Sequence, residues 1–438
     1  MKRFLSFILL SVAVTSAQAV LRIQSWTLEN GARVLFVENH TIPMLDVSVE
    51  FDAGARRDPD GKDGLAALTN AMLASGVEAG QGQDEPALNE SQISDAFADT
   101  AAQRAGTVGS DRAGVTLRTL VSKVERDQAV ALLSRILAHP GFPADQLARD
   151  KIRTVAALRE DQTKPEWLAN RAFWHAMYGN HPYAREASVA SIESLTREDF
   201  VAFHRTHYVA NRAVIAMIGD LSRAEADAVA RQLSMRLPQG APLPPIPDVP
   251  VLPGHEERIA HPASQAHILI GMPALARGDP DFFALTVGNY VLGGGGFVSR
   301  LTREVREKRG LSYSVYSYFN PMLQKGPFQL GLETQKEQTD EALKVVRDTL
   351  SAYLRDGPTV QELKAAKDNL IGGFALRIDN NRKILDNIAV IGYYGLPLDY
   401  LDHWTANVDK VSIADIRQAF SKKIALEKLT TIMVGVAP

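Results

Sequence analysis

Few side chains in this sequence of 438 residues carry chemistry in a recognisable pattern. The segment REKRGLSY is bounded by Arg306 and Tyr313. An arginine offers fixed N–H donors to peptide carbonyls. A tyrosine hydroxyl can polarise a carbonyl or steady the oxyanion that develops on it. Arg303, Lys308 and Arg309 compete as surface charge on the same helix, and Tyr313 can equally be an ordinary strand residue. His204 and His207, at i and i+3, can share one helical face. No third ligand stands near them, so a structural pair is the simpler reading. His181-Pro182-Tyr183 reads as a packing turn. Gly293, Gly294, Gly295 and Gly296 precede a helix without the G-K-[ST] of a phosphate loop. They either bring backbone against backbone or let a loop swing. The chain has no cysteine and no G-x-S-x-G elbow, which leaves little room for a metal-independent thiol or serine hydrolase.

The elements that must hold these groups follow from apolar spacing. Arg306 closes a helix, Gly310 allows a turn, and Tyr313 lies at the start of a strand over 311–319. Further strands are predicted at 33–37, 45–51, 115–121, 266–271 and 328–334. The first two read as a hairpin across Asn39–Pro43. Long helices are predicted at 339–355 and 359–375, the second opened by Thr359 and Glu362 at capping-box spacing. A proline-rich stretch, LPQGAPLPPIPDVPVLPG at 237–254, favours an extended linker. It separates an N-terminal domain, 20–236, from a C-terminal domain, 255–438. The two look like a divergent repeat. IESLTREDFVAFHRTH at 192–207 matches VDKVSIADIRQAFSKK at 408–423, and each is followed by an apolar strand ending in glycine. The pattern predicts an α+β fold, with helices packed against a mixed sheet in each half.

Net charge is −3, from 48 basic and 51 acidic residues, and no basic stripe appears. Nucleic acid is therefore not expected as a partner. Residues 1–19, MKRFLSFILLSVAVTSAQA, have a basic start, an apolar run and a small-residue end. They read as a secretory signal peptide cleaved near Ala19. No later segment is long and apolar enough to span a bilayer. Export without cysteines points to a periplasmic or secreted protein stabilised by core packing.

Four stretches carry a resemblance to a known family: residues 28–66 (LENGARVLFVENHTIPMLDVSVEFDAGARRDPDGKDGLA), YGNHPYA at 178–184, residues 291–319 (VLGGGGFVSRLTREVREKRGLSYSVYSYF), and the repeat itself. In order and spacing they resemble the pitrilysin/insulinase-type peptidases, over nearly the whole chain after residue 19. The resemblance implies two homologous halves closed as a clam, two clams enclosing a peptide chamber, and a zinc site on a helix bearing H-x-x-E-H. Here that helix reads GLAALTNAMLASG at 64–76 and puts Ala67, Asn70 and Ala71 at the ligand and base positions. The third ligand position, in ALREDQTKP at 157–165, is Ala157. Alanine offers a metal nothing, and an amide is no general base. The chain is thus expected to carry no metal or cofactor. In this family an arginine and a tyrosine seven residues apart reach the bound peptide from the half without zinc, and Arg306 and Tyr313 match that spacing. A glycine-rich loop helps to hold substrate in non-catalytic subunits, and Gly293–Gly296 match it. The resemblance therefore implies a non-catalytic subunit. Its partner would be a homologous chain bearing H-x-x-E-H and zinc, and peptides would be the substrate. A peptide-binding or scaffold protein without proteolysis is the alternative.

Overall fold

The structure is a computed structural model that describes residues 21–80 and 85–436; the signal-peptide reading of 1–19 falls outside the described residues. The first half contains strands β1 (Ile23–Thr27), β2 (Arg33–Glu38), β3 (Met44–Phe51), the short β4 (Gly76–Val77) and β5 (Leu88–Asn89), β6 (Gln103–Val108), β7 (Ala113–Leu120) and β8 (Val214–Gly219). Its helices are α1 (Leu65–Met72), α2 (Glu90–Asp99), α3 (Lys123–Ala138), α4 (Ala144–Asp161), α5 (Pro165–Tyr178), α6 (Val189–Ser194), α7 (Arg197–His207) and α8 (Arg223–Ser234). The second half contains β9 (His255–Ile259), β10 (Gln265–Leu275), β11 (Val315–Phe319), β12 (Gly326–Gln335) and β13 (Thr430–Val434). Its helices are α9 (Phe282–Asn289), α10 (Thr339–Asp356), α11 (Val360–Gly372), α12 (Asn381–Tyr394), α13 (Trp404–Lys410) and α14 (Ile413–Lys423). Between the halves, residues 237–254 form no helix or strand.

The two sheets repeat one plan. Their orders are β1-β2-β8-β3-β7-β6 and, read in the same sense, β9-β13-β10-β12-β11. In each, one pair is parallel (β2 with β8, β9 with β13) and the rest are antiparallel. The strand β8 is buried along its whole length, as a continuous apolar run demands of a strand covered on both faces. It lies between β2 and β3, so these two are not the hairpin expected from the Asn39–Pro43 turn. The turn carries the chain across one strand position instead, because β8 offers a partner that is apolar on both sides. The repeat extends to helix starts. Thr196 and Asp199 close a capping box on α7, and Ser412 with Asp415 does the same on α14. The box expected at Thr359 and Glu362 opens α11.

Each half lends one helix to the other. The helix α5 lies across β10 and β13, and α12 lies across β8 and β3. Ala169, Phe173 and Met177 of α5 pack with Leu269, Ile432 and Val434. Ile384, Leu385 and Ile388 of α12 pack with Val37, Ala216 and Ile218. Each of these buried Val, Leu, Ile, Phe and Met side chains contributes about 1.5–3 kcal/mol, and the alanines less. Close approach fixes the geometry, since a Cβ on Gly392 would lie 2.6 Å from Leu35 Cδ1.

A polar clasp joins the halves at the β6–β7 turn. The buried carboxylate of Asp111 accepts from Tyr183 Oη at 2.7 Å, Tyr394 Oη at 2.9 Å and the Leu323 N–H at 2.8 Å. The Arg56 guanidinium lies 3.3 Å from it, also buried. Tyr393 Oη donates to the Asp111 carbonyl at 2.6 Å.

Candidate functional site

The degenerate helix α1 is built as a positioned element. Asp58 accepts from the Gly64 and Ala66 N–H groups, both at 2.7 Å, at the start of α1. Burial raises the Asp58 carboxyl to about 7 despite these two bonds, which favour the ionised form. Leu65, Ala66, Leu68, Thr69 and Met72 are buried. Ala67 and Ala71 are exposed, four residues apart on one face. Asn70 turns inward. Its Nδ2 donates to the Gly114 carbonyl at 2.8 Å and reaches Tyr208 Oη at 3.2 Å. In the sister half, Asn289 at the end of α9 donates in the same manner to the Ser317 carbonyl at 2.9 Å. An amide tying helix to sheet thus stands in both halves. Ala157 is exposed on α4, while Asp150, one stretch earlier, is buried and held by Arg149 at 3.2 Å and Arg153 at 3.3 Å.

These residues do not fit a zinc ion. Three alanines supply no ligand, and the amide in the base position is engaged with the sheet. Among the described residues, no three of His, Asp or Glu converge to hold a metal. His204 and His207 serve the backbone. His204 Nε2 bonds the Leu137 carbonyl at 2.8 Å, and His207 Nδ1 bonds the Asp52 carbonyl at 2.9 Å. Burial lowers both imidazoles to about 4, so both are neutral at pH 7.

Restoring the ligand face separates these roles. Ala67→His, Ala71→His and Ala157→Glu together are expected to bind one zinc ion per chain, read by metal analysis of the folded protein. Adding Asn70→Glu is expected to lower stability. It removes the donor to Gly114, at a cost of about 1–3 kcal/mol, and adds a charge beside the buried Glu50, register partner of Gly114. A folded triple variant without zinc would show that the register assigned to α1 is wrong.

The second constellation lies in the other half. Arg306 sits in a π-helical turn, Thr302–Glu307, which packs against both β11 and the turn Gly296–Val298. Glu304 pairs with Arg303, Lys308 and Arg309, and Arg303 also pairs with Glu362. Among the described residues Arg306 makes no ion pair; its guanidinium lies 4.8 Å from the Phe297 ring centroid. Of four neighbouring cations it is thus the one left uncompensated. Tyr313 does not start the strand as expected. β11 begins at Val315, and Tyr313 lies in the preceding turn, where Ser312 Oγ bonds the Ser314 carbonyl at 2.7 Å. That turn leaves the Tyr313 side chain 87% exposed. Within the glycine run, Gly293 is a packing position, since a Cβ there would lie 2.5 Å from Ser317 Oγ. Gly296 takes φ +59° and reverses the chain. Phe297 and Val298 follow it, 69% and 67% exposed. Sequence reading passed over this pair, although two large apolar residues next to a glycine run are a visible signal. The site therefore offers one free cation, one free phenol and an apolar shelf.

Comparisons with known proteins bear on this arrangement. Residues 194–370 match the family described as peptidase M16 inactive domain. A solved peptidase M16 inactive domain from Pseudomonas fluorescens superposes with a TM-score of 0.90 at 36% identity, covering 95% of this chain and 98% of that one. A non-peptidase homologue, YmxG of Helicobacter pylori, is 26% identical over 99% of both chains. An uncharacterized zinc protease of Streptomyces coelicolor is 32% identical, but the match spans 55% of this chain and 54% of that relative. The periplasmic protease PqqL of Escherichia coli shares the fold, with a TM-score of 0.75 at 17% identity, and this chain covers 45% of its length.

Proposed function

The chain belongs to the M16, pitrilysin-type, peptidase family as an inactive member, and from that premise we propose that it is the non-catalytic subunit of a two-chain zinc peptidase. The metal and the H-x-x-E-H helix would belong to a homologous partner. This chain would complete the peptide chamber and present Arg306 and Tyr313 to the bound substrate. Arg306 would hold peptide carbonyls, and the Tyr313 hydroxyl would bond the carbonyl oxygen on which negative charge develops. The observation that carries this reading is the Arg306–Tyr313 patch. Arg306 lies free of ion pairs beside the exposed Phe297, and Tyr313, seven residues on, is exposed, whereas Arg303, Lys308 and Arg309 are each held in an ion pair among the described residues. Exposed apolar groups of this kind mark surfaces that another chain or ligand covers. The assembly would act in the periplasm after cleavage near Ala19. No helix among the described residues is long and apolar enough to cross a membrane.

Co-expression with a homologous chain that carries H-x-x-E-H tests the proposal. The two are expected to co-purify, and this chain is expected to raise the partner's activity on peptides. A partner fully active alone, with neither rate nor elution volume changed by this chain, would refute the heteromeric reading and favour the scaffold alternative.

A further inference from the structure

A cavity lies where α5, the end of β10, the turn after α14 and the proline-rich connection meet. It holds about 300 Å³. Its floor is apolar, formed by Met177, Met272 and Ala274, and methionine adapts to varied shapes. Its rim carries Lys325, Lys422, Lys423 and Lys428. Lys422 is neutralised by Asp281 at 2.8 Å, and Lys423 by Asp279 and Asp281. Lys325 and Lys428 have no ion pair among the described residues. Two free ammonium groups therefore stand over an apolar floor, in a protein of net charge −3.

The third wall is Val249–Pro253. Pro250 and Pro253 fix their own φ angles and bias Val249 and Leu252 to extended backbone. Among the described residues, the N–H and C=O groups of Val251 and Leu252 make no hydrogen bond within the protein. An extended wall with open main-chain groups, an apolar floor and two free cations are complementary to one kind of ligand. We propose that this cavity receives the free C-terminus of an apolar peptide. The terminal carboxylate would lie between Lys325 and Lys428, the last side chain would lie over Met177 and Met272, and the peptide backbone would run beside Val251–Leu252. The inference is independent of the Arg306–Tyr313 reading, whose residues it does not use.

The test uses the full chain and a fluorescent tetrapeptide ending in Leu-Phe. It is measured by anisotropy with a free C-terminus and again as the C-terminal amide. The free acid is expected to bind at least about tenfold more tightly, the effect of about one charge-assisted contact. Lys325→Gln and Lys428→Gln, both at exposed positions, are expected to remove that preference. Lys344→Gln, at a lysine that pairs with Asp348 and does not line the cavity, is the control expected to leave it unchanged. Equal binding of acid and amide overturns the proposal, as does no binding of either. Octanoate that binds while the tetrapeptide does not would overturn it in favour of a fatty-acid site. Loss of the preference in the Lys344 variant would reduce the effect to general charge.

Discussion

In the assembled enzyme, Tyr313→Phe is expected to lower kcat by on the order of 10²–10³, or about 3–4 kcal/mol, with subunit association unchanged. The substitution removes one hydroxyl from a side chain that is 87% exposed, so the fold has no stake in it. Arg306→Ala is expected to act on the same step. Among the described residues its guanidinium makes no ion pair and lies over the Phe297 ring, so its loss removes no ion pair there. Arg309→Ala is the control: that arginine is committed to Glu304. Steady-state kinetics with association measured in parallel decide the matter. A rise in KM with kcat intact would reduce both residues to ground-state contacts. Full kcat and KM in Tyr313→Phe, or equal losses in the Arg309 control, would remove the catalytic role.

The largest effect on stability is expected at the polar clasp. Asp111→Ala should cost at least about 3 kcal/mol, at about 1–3 kcal/mol for each buried donor left without an acceptor. The substitution strands the hydroxyls of Tyr183 and Tyr394 and the Leu323 N–H. Arg56 loses the longer of its two carboxylates and keeps Asp52 at 2.8 Å. Asp111→Asn keeps the shape and one acceptor oxygen, so it should cost less. Urea unfolding of the three proteins measures the order. An alanine variant as stable as the parent would mean that water enters and solvates the clasp.

Much of the fold is legible in the residues. Alternating and continuous apolar runs mark β3, β7, β8, β10 and β12, and the T-x-x-D and S-x-x-D boxes before α7 and α14 expose the repeat. The helix ends are legible because capping is local chemistry. The strand order is not. β2 and β3 are adjacent in sequence with a turn between them, and only the burial of β8 on both faces explains why it separates them. The emptiness of the metal face at Ala67, Ala71 and Ala157 is legible from residue type alone. The role of Asn70 is not, because its partners Gly114 and Tyr208 lie far along the chain. Asp111 escapes notice for the same reason. It sits in a turn, SDR, that looks like any polar loop, and its four partners are drawn from four separate segments. The spacing to Tyr313 singles out Arg306 in the sequence, but its freedom from ion pairs depends on Glu304 and Glu362 taking its neighbours.

The exchange of α5 and α12 sets how this chain can be divided. Cleaving the backbone inside residues 237–254 would sever no strand or helix, yet it would not free two proteins. Each fragment would carry the helix that seals the other's sheet, with Phe173 and Ile388 seated in foreign cores. Nicked chains should therefore migrate as one particle until denatured, and two fragments made separately should recognise each other. Either fragment alone would present both a bare sheet and an orphan apolar helix, the makings of self-association through reciprocal exchange between identical copies.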